Sequence, residues 1–181
     1  WITTRDGNVS LKRSGKRTLY ITPSGWRKTI IHPEHILRVR VSDEGYSISG
    51  SGNSKPSGEL HMHAKLHEMH RGTKAVVHLH PTEFPEVSRY TKVGPTVPVL
   101  PVTSLVLAEA TLNAFTDNGT LNHLKYDIVG QANHGVCAVG PNPWDAYEHI
   151  ERLEHVCEIV LKSGVNPKKE SFKCKYRGNS L

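Results

Sequence analysis

The sequence predicts a single-domain α/β sandwich, with helices flanking a central sheet that is mixed or mainly antiparallel. Strand-like and helix-like stretches intermingle along the 181 residues without the strict alternation of a parallel βαβ array. No internal repeat or low-complexity linker divides the chain, and its length suits one domain with a sizeable core. A hydrophobic content of 36% beside 22% charged residues fits a globular chain in water.

The elements follow in order. "RTLYITPSG" predicts a short strand ending in a Pro/Ser/Gly turn, and "HPEHILRVRVSDEGYSISGSG" a helical turn followed by two short strands around "DEG". From Glu59 to about His70, the residues Leu60, His63, Leu66, His67 and His70 recur at spacings suited to one helix face. Arg71-Gly72 closes that helix, and "KAVVHLH" is then a short apolar strand. "TSLVLAEATLNAF" predicts a second helix capped by Thr103 or Ser104. "YDIVGQANHGVCAVG" is two β-rich runs broken at Asn133-His134-Gly135, and "NPWDAYEHIERLEHVCEIVLKSG" a long helix from Asn142-Pro143 to Gly164. The domain is expected over residues 1–164, with 165–181 as a polar, basic tail.

Composition narrows the function. No apolar stretch approaches the roughly 20 residues of a membrane span, so no membrane partner is expected. Cys137, Cys157 and Cys174 form an odd set without CxxC spacing, which argues for a reducing compartment and a cytoplasmic location. The chain begins at Trp1 rather than Met, so its first residues say nothing about targeting. The net charge of +6 is spread over scattered Lys and Arg outside the tail; attraction to anionic metabolites accounts for it, and no nucleic-acid partner is expected.

Twelve histidines are the chemical signal, six of them within "HMHAKLHEMHRGTKAVVHLHP" at 61–81. His78 and His80 stand two apart on a predicted strand, so both side chains leave the same face and can share a divalent metal, zinc first. On the helix, His63 and His67 are four apart and form a competing pair. "HEMH" is one residue short of the metalloprotease HExxH, and His61, His67 and His70 read as exposed or partly buried helix residues. His134, a turn histidine beside a glycine, is a candidate third ligand, since a catalytic zinc usually takes three.

The stretches "DGNVS", "ITPSG", "KPSGELHMH", "AVVHLHP", "NHGVCAVG" and "AYEHIERLEHVCEIVL" come in the order seen in class II, zinc-dependent sugar-phosphate aldolases. The chain resembles that superfamily, which also holds ribulose-phosphate epimerases and adducin heads, from about Arg5 to Leu161. The resemblance implies that His78, His80 and His134 are zinc ligands. It implies that Glu59 can join them without substrate and then act as general acid/base, with His63 packed or hydrogen-bonded behind it. The implied reaction is reversible cleavage of a ketose phosphate to dihydroxyacetone phosphate and an aldehyde, through an enediolate that the metal stabilises. Asn8, Ser24, Gly25, Ser57 and Gly58 fall in the loops that cradle the substrate phosphate in similar aldolases, with Arg5 beside them. The relatives' symmetry implies a homotetramer.

Two departures bear on the substrate. Gly58 replaces a second serine common in fuculose-type enzymes, and Arg5 stands at a usually small, hydroxylated position, where it could pair with phosphate or a substrate carboxylate. The segment between His80 and Thr103 is short and proline-rich, and no motif fixes the register of Tyr90 or Tyr176 as a proton donor. The alternatives within the superfamily are a methylthioribulose-phosphate-type dehydratase, a 4-epimerase (disfavoured by Glu59 where aspartate is usual), a decarboxylase, and a non-catalytic adducin-head-like interaction domain.

Overall fold

The computed structural model describes residues 5–13, 17–50, 53–69, 72–81, 94–116 and 124–164. Tyr90, Tyr176, His70, Cys174 and the basic tail lie outside them. The strands are β1 (Asn8–Lys12), β2 (Thr18–Ile21), β3 (Leu37–Ser42), β4 (Gly45–Ser49), β5 (Ala75–Leu79), β6 (Gly94–Val97), β7 (Ile128–Gln131) and β8 (Gly135–Gly140). They form one sheet in the order β4-β3-β2-β1-β5-β8-β7-β6. Neighbours run antiparallel, except that β6 joins β7 in parallel at the edge. The helices are α1 (Leu60–Met69), α2 (Leu105–Phe115) and α3 (Pro143–Ser163). The mainly antiparallel α/β sandwich expected from the sequence is the observed fold.

Strand alternation sorts the core into layers. From β5 and β8, Ala75, Val77, Leu79, Val136 and Ala138 meet Ala146, Ile150, Leu153, Cys157 and Val160 of α3. From the other face, Val76, Cys137 and Val139 meet Met62 and Leu66 of α1 and Leu107, Ala108 and Phe115 of α2. Leu19, Ile21, Leu37 and Val39 of β2 and β3 pack under Leu60 and Ala64 of α1.

Local chemistry sets the helix ends. Asn142 caps α3 by accepting from the Asp145 N–H at 3.0 Å, Pro143 sits in the first turn, and Gly164 ends the helix at φ 64°. Ser104 caps α2, accepting from the Leu107 N–H at 3.1 Å. Thr103, the other candidate, instead takes a left-handed φ of 60°.

Two strands escaped the sequence reading. β6 lies in the proline-rich stretch, where an edge position tolerates the missing N–H of Pro95. β1 has its pattern inverted: Asn8 and Ser10 are the buried residues, and Leu11 is 41% exposed. The polar inner face of β1 also explains a correction on α1. His67, expected to be exposed or partly buried, is buried at 2% exposure because it faces Ser10.

Candidate active site

The site grows from the register of three strands. Asn8 of β1 lies opposite His78 of β5, which lies opposite Cys137 of β8, so Asn8 and His78 share the sheet face that α1 covers. Gly7 makes the approach possible: at φ 74°, a Cβ there would stand 2.7 Å from the His78 carbonyl oxygen. Gly135 does the same beyond β5, since a Cβ would fall 2.2 Å from the Leu79 carbonyl oxygen and 2.9 Å from the His80 ring. The turn into Gly135, with Asn133 at φ 53°, brings His134 onto His78 of β5 and His80 just beyond it.

The rings of His78, His80 and His134 have centroids 4.7–4.8 Å apart. Each offers a ring nitrogen within 4.8 Å of the others, the arrangement of a three-histidine metal site. His78 donates Nδ1–H to the Val136 carbonyl at 2.9 Å, which turns the lone pair of Nε2 inward, 2.8 Å from His80 Nε2. Burial holds the His78 imidazole well below its ordinary pKa, with His80 and His134 adding to the effect. Burial also lowers His134, against the opposing pull of the Glu59 carboxylate. A neutral imidazole is the form that binds a metal.

Glu59 closes the cluster from just before α1. Its Oε2 lies 3.4 Å from His78 Nε2 and its Oε1 3.7 Å from His134 Nε2. The side chain is buried, yet among the described residues Oε1 has no hydrogen-bond partner, and neither has His134 Nδ1. A buried carboxylate oxygen without a donor, facing inward-turned imidazole nitrogens, fits a cation in that space. The donor set of three imidazoles and one carboxylate suits zinc or a similar divalent ion.

The residues expected around a phosphate are partly gathered. A bridge between Pro23 and Pro56 lays the two Pro-Ser-Gly segments side by side, fastened by Ser24 N–H to the Lys55 carbonyl at 2.8 Å and Ser57 N–H to the Thr22 carbonyl at 3.2 Å. Ser24, Gly25 and Gly58 are exposed along that seam, while Ser57 is buried and accepts from the Glu59 N–H at 3.3 Å. Arg5 is exposed, its backbone held by Lys28, which donates to the Arg5 carbonyl at 2.9 Å. Asn8 points inward instead: Nδ2–H donates to Glu59 Oε2 at 2.9 Å, and Oδ1 meets His63 Nε2. His63 thus stands behind Glu59 by way of Asn8. The competing pair of His63 and His67 converges on Ser10 Oγ, at 2.6 and 2.8 Å, rather than on the histidine cluster.

The sequence reading did not single out Ser10 for a role, and the only signal available was a hydroxyl residue at an inward strand position. A cavity of about 340 Å³ lies elsewhere, lined by Lys12, Arg17, Asp43, His67 and Glu68, and includes neither Glu59 nor the three clustered histidines.

Fold and site together define an α/β sandwich carrying a histidine and carboxylate cluster able to hold a metal. The chain belongs to the class II aldolase and adducin N-terminal domain family, whose model matches residues 1–161. It is 30% identical over 167 residues to the L-fuculose phosphate aldolase of Methanococcus maripaludis (strain C5), spanning 84% of this chain and 82% of that protein. The methylthioribulose-1-phosphate dehydratase of Kluyveromyces lactis is 24% identical over 184 residues, spanning 90% of this chain and 88% of that protein. Among solved structures, an L-fuculose 1-phosphate aldolase superposes with a TM-score of 0.77 at 20% identity, covering 95% of this chain and 82% of that one.

Proposed function

We propose that this chain is a metal-dependent lyase that reversibly cleaves a ketose phosphate into dihydroxyacetone phosphate and an aldehyde. One observation carries the reading: a buried carboxylate whose Oε1 has no hydrogen-bond partner among the described residues, that of Glu59, faces three converging imidazoles. His78, His80 and His134 would hold the metal, with Glu59 able to join them. When bound, a divalent ion, zinc first, supplies a Lewis acid that stabilises negative charge on substrate oxygens.

The chain's own residues do the rest. Asn8 fixes one oxygen of Glu59 by donating to Oε2, so Oε1 is the atom left to exchange a proton with substrate. It accepts a proton from the hydroxyl whose carbon becomes the aldehyde, and returns it to the carbon that keeps the bonding pair. Ser24, Gly25, Ser57 and Gly58 line the candidate phosphate seam, with Arg5 adding a positive charge. Val99, Val102, Leu105 and Val106 are 53–63% exposed, a patch that a homotetramer contact would cover.

The test is turnover of fuculose, rhamnulose, ribulose and methylthioribulose phosphates by metal-loaded protein, with products identified by mass. Dihydroxyacetone phosphate should appear, and Glu59→Gln should slow its release by about 10²–10⁴. Loss of water without carbon–carbon cleavage would replace the aldolase reading with a dehydratase, the activity named for the Kluyveromyces relative. No turnover and no bound metal would favour an interaction domain. Light scattering on the same sample should give the mass of four chains; any other mass removes the tetramer.

A further inference from the structure

Behind Glu59 runs a string of buried polar groups that joins β1 to α1. Asn8, Ser10, His63 and His67 are each 0–8% exposed. Asn8 Nδ2 lies 2.9 Å from Glu59 Oε2, His63 Nε2 is 2.5 Å from Asn8 Oδ1, Ser10 Oγ is 2.6 Å from His63 Nδ1, and His67 Nε2 is 2.8 Å from Ser10 Oγ. Each link constrains the next. A carboxylate only accepts, so Asn8 must present its amide N–H₂ to Glu59 and its carbonyl oxygen to His63. His63 therefore carries its proton on Nε2, which leaves a lone pair on Nδ1.

Ser10 has one proton, and His63 Nδ1 takes it. Its oxygen must then accept from His67, whose proton sits on Nε2. A neutral ring has one N–H, so His67 Nδ1 carries none. Its contact with the Thr73 carbonyl, at 3.3 Å, is the longest in the string and the one forgone. Every proton along the line then points toward Glu59, from His67 through Ser10, His63 and Asn8.

We propose that Ser10 and His67 are positioning residues for Glu59: by fixing the tautomer of His63 they lock the Asn8 amide so that it donates to one carboxylate oxygen and leaves the other free to react. This rests on the acid–base role given to Glu59 above. Ser10 and His67 touch neither Glu59 nor the clustered histidines; their effect passes through His63 and Asn8. Strand β1 accordingly turns its polar residues inward, since its inner face is the string itself.

Two measurements on the zinc-loaded full chain test the assignment. Long-range ¹H–¹⁵N NMR of the imidazoles should find His63 and His67 neutral, both with the proton on Nε2. Ser10→Ala should lower kcat by about tenfold or more, as leaving two buried imidazole nitrogens without their partner would, with KM within about twofold and one equivalent of zinc retained. Ser10→Thr, which restores the hydroxyl on a strand-compatible side chain, should recover most of that loss. His63 with its proton on Nδ1 in the unaltered protein would overturn the proposal, as would full kcat in Ser10→Ala. The NMR result stands without any variant and without turnover, so failure of the lyase reading alone would leave the tautomer prediction to be decided separately.

Discussion

On β5, Ala75, Val77 and Leu79 point to α3 and pack into an apolar cluster with it, whereas His78 points the other way, into the cluster with Glu59. The neighbouring strand repeats the split, with Val9 toward α3 and Asn8 and Ser10 toward α1. The α3 side stabilises the fold through shape and buried area; each fully buried aliphatic there contributes about 1.5–3 kcal/mol. The α1 side buries polar groups that gain little net stability even when satisfied and cost free energy where a partner is missing, as at Glu59 Oε1. A sheet that carries both shows how one strand period can separate holding the molecule together from working on a substrate.

The largest effect expected on the polar side is at His78. His78→Ala should reduce bound zinc from one equivalent to below about a tenth and remove turnover, since it deletes the fully buried imidazole whose Nε2 faces both His80 and Glu59. Metal analysis after dialysis decides it; a full equivalent retained in the variant would take His78 out of the ligand set.

How much of this division could be read beforehand depended on which side of the sheet was in question. The α3 side was legible because its cues are local: Asn142-Pro143 starts the helix, Gly164 stops it, and apolar residues recur between them. On the polar side, the two-residue spacing of His78 and His80 was enough to place them together, and His134 stood out beside its glycine. Ser10 and the burial of His67 were not legible. Hydrophobic periodicity treats inward polar residues as outward ones, so it passes over β1, and on α1 the spacing puts His67 beside Leu60 and Leu66 while its residue type alone reads as exposed. Only the register of Asn8 against His78, a contact between residues 70 positions apart, discloses that these polar groups satisfy one another. β6 was missed for a different reason: an edge strand containing proline has almost no local signature.

On the apolar side the corresponding change is Ile150→Ala. Ile150 is fully buried against β5 and β8, so the truncation should cost about 2–5 kcal/mol in chemical denaturation. Below the variant's melting temperature, turnover per folded molecule and zinc content should match the parent protein. A selective fall in kcat with stability unchanged would show that α3 reaches into the chemistry, and the division between the two faces would be lost.

The last effect concerns pH, and on the polar side it should come chiefly from His67. Burial lowers the His67 pKa to about 4 from an ordinary 6.5, against the opposing pull of the nearby Thr73 carbonyl, and burial lowers His63 and His78 in the same direction. A histidine whose folded pKa is depressed binds protons more readily in the unfolded chain. Its folded state is therefore fully favoured above about pH 6.5 and loses stability as pH falls toward the folded value. For His67 that window runs from about 6.5 to about 4, and the shift corresponds to about 3 kcal/mol across it. Urea denaturation of the metal-free protein between pH 7.5 and 4.5 should show stability falling toward acid, and His67→Leu should flatten the slope. The apolar contacts of α3 carry no proton, so Ile150→Ala should shift the whole curve down without changing its shape. An unchanged slope in His67→Leu would mean that the ring takes up its proton equally readily in the folded and the unfolded chain, and burial would then place no constraint on its charge.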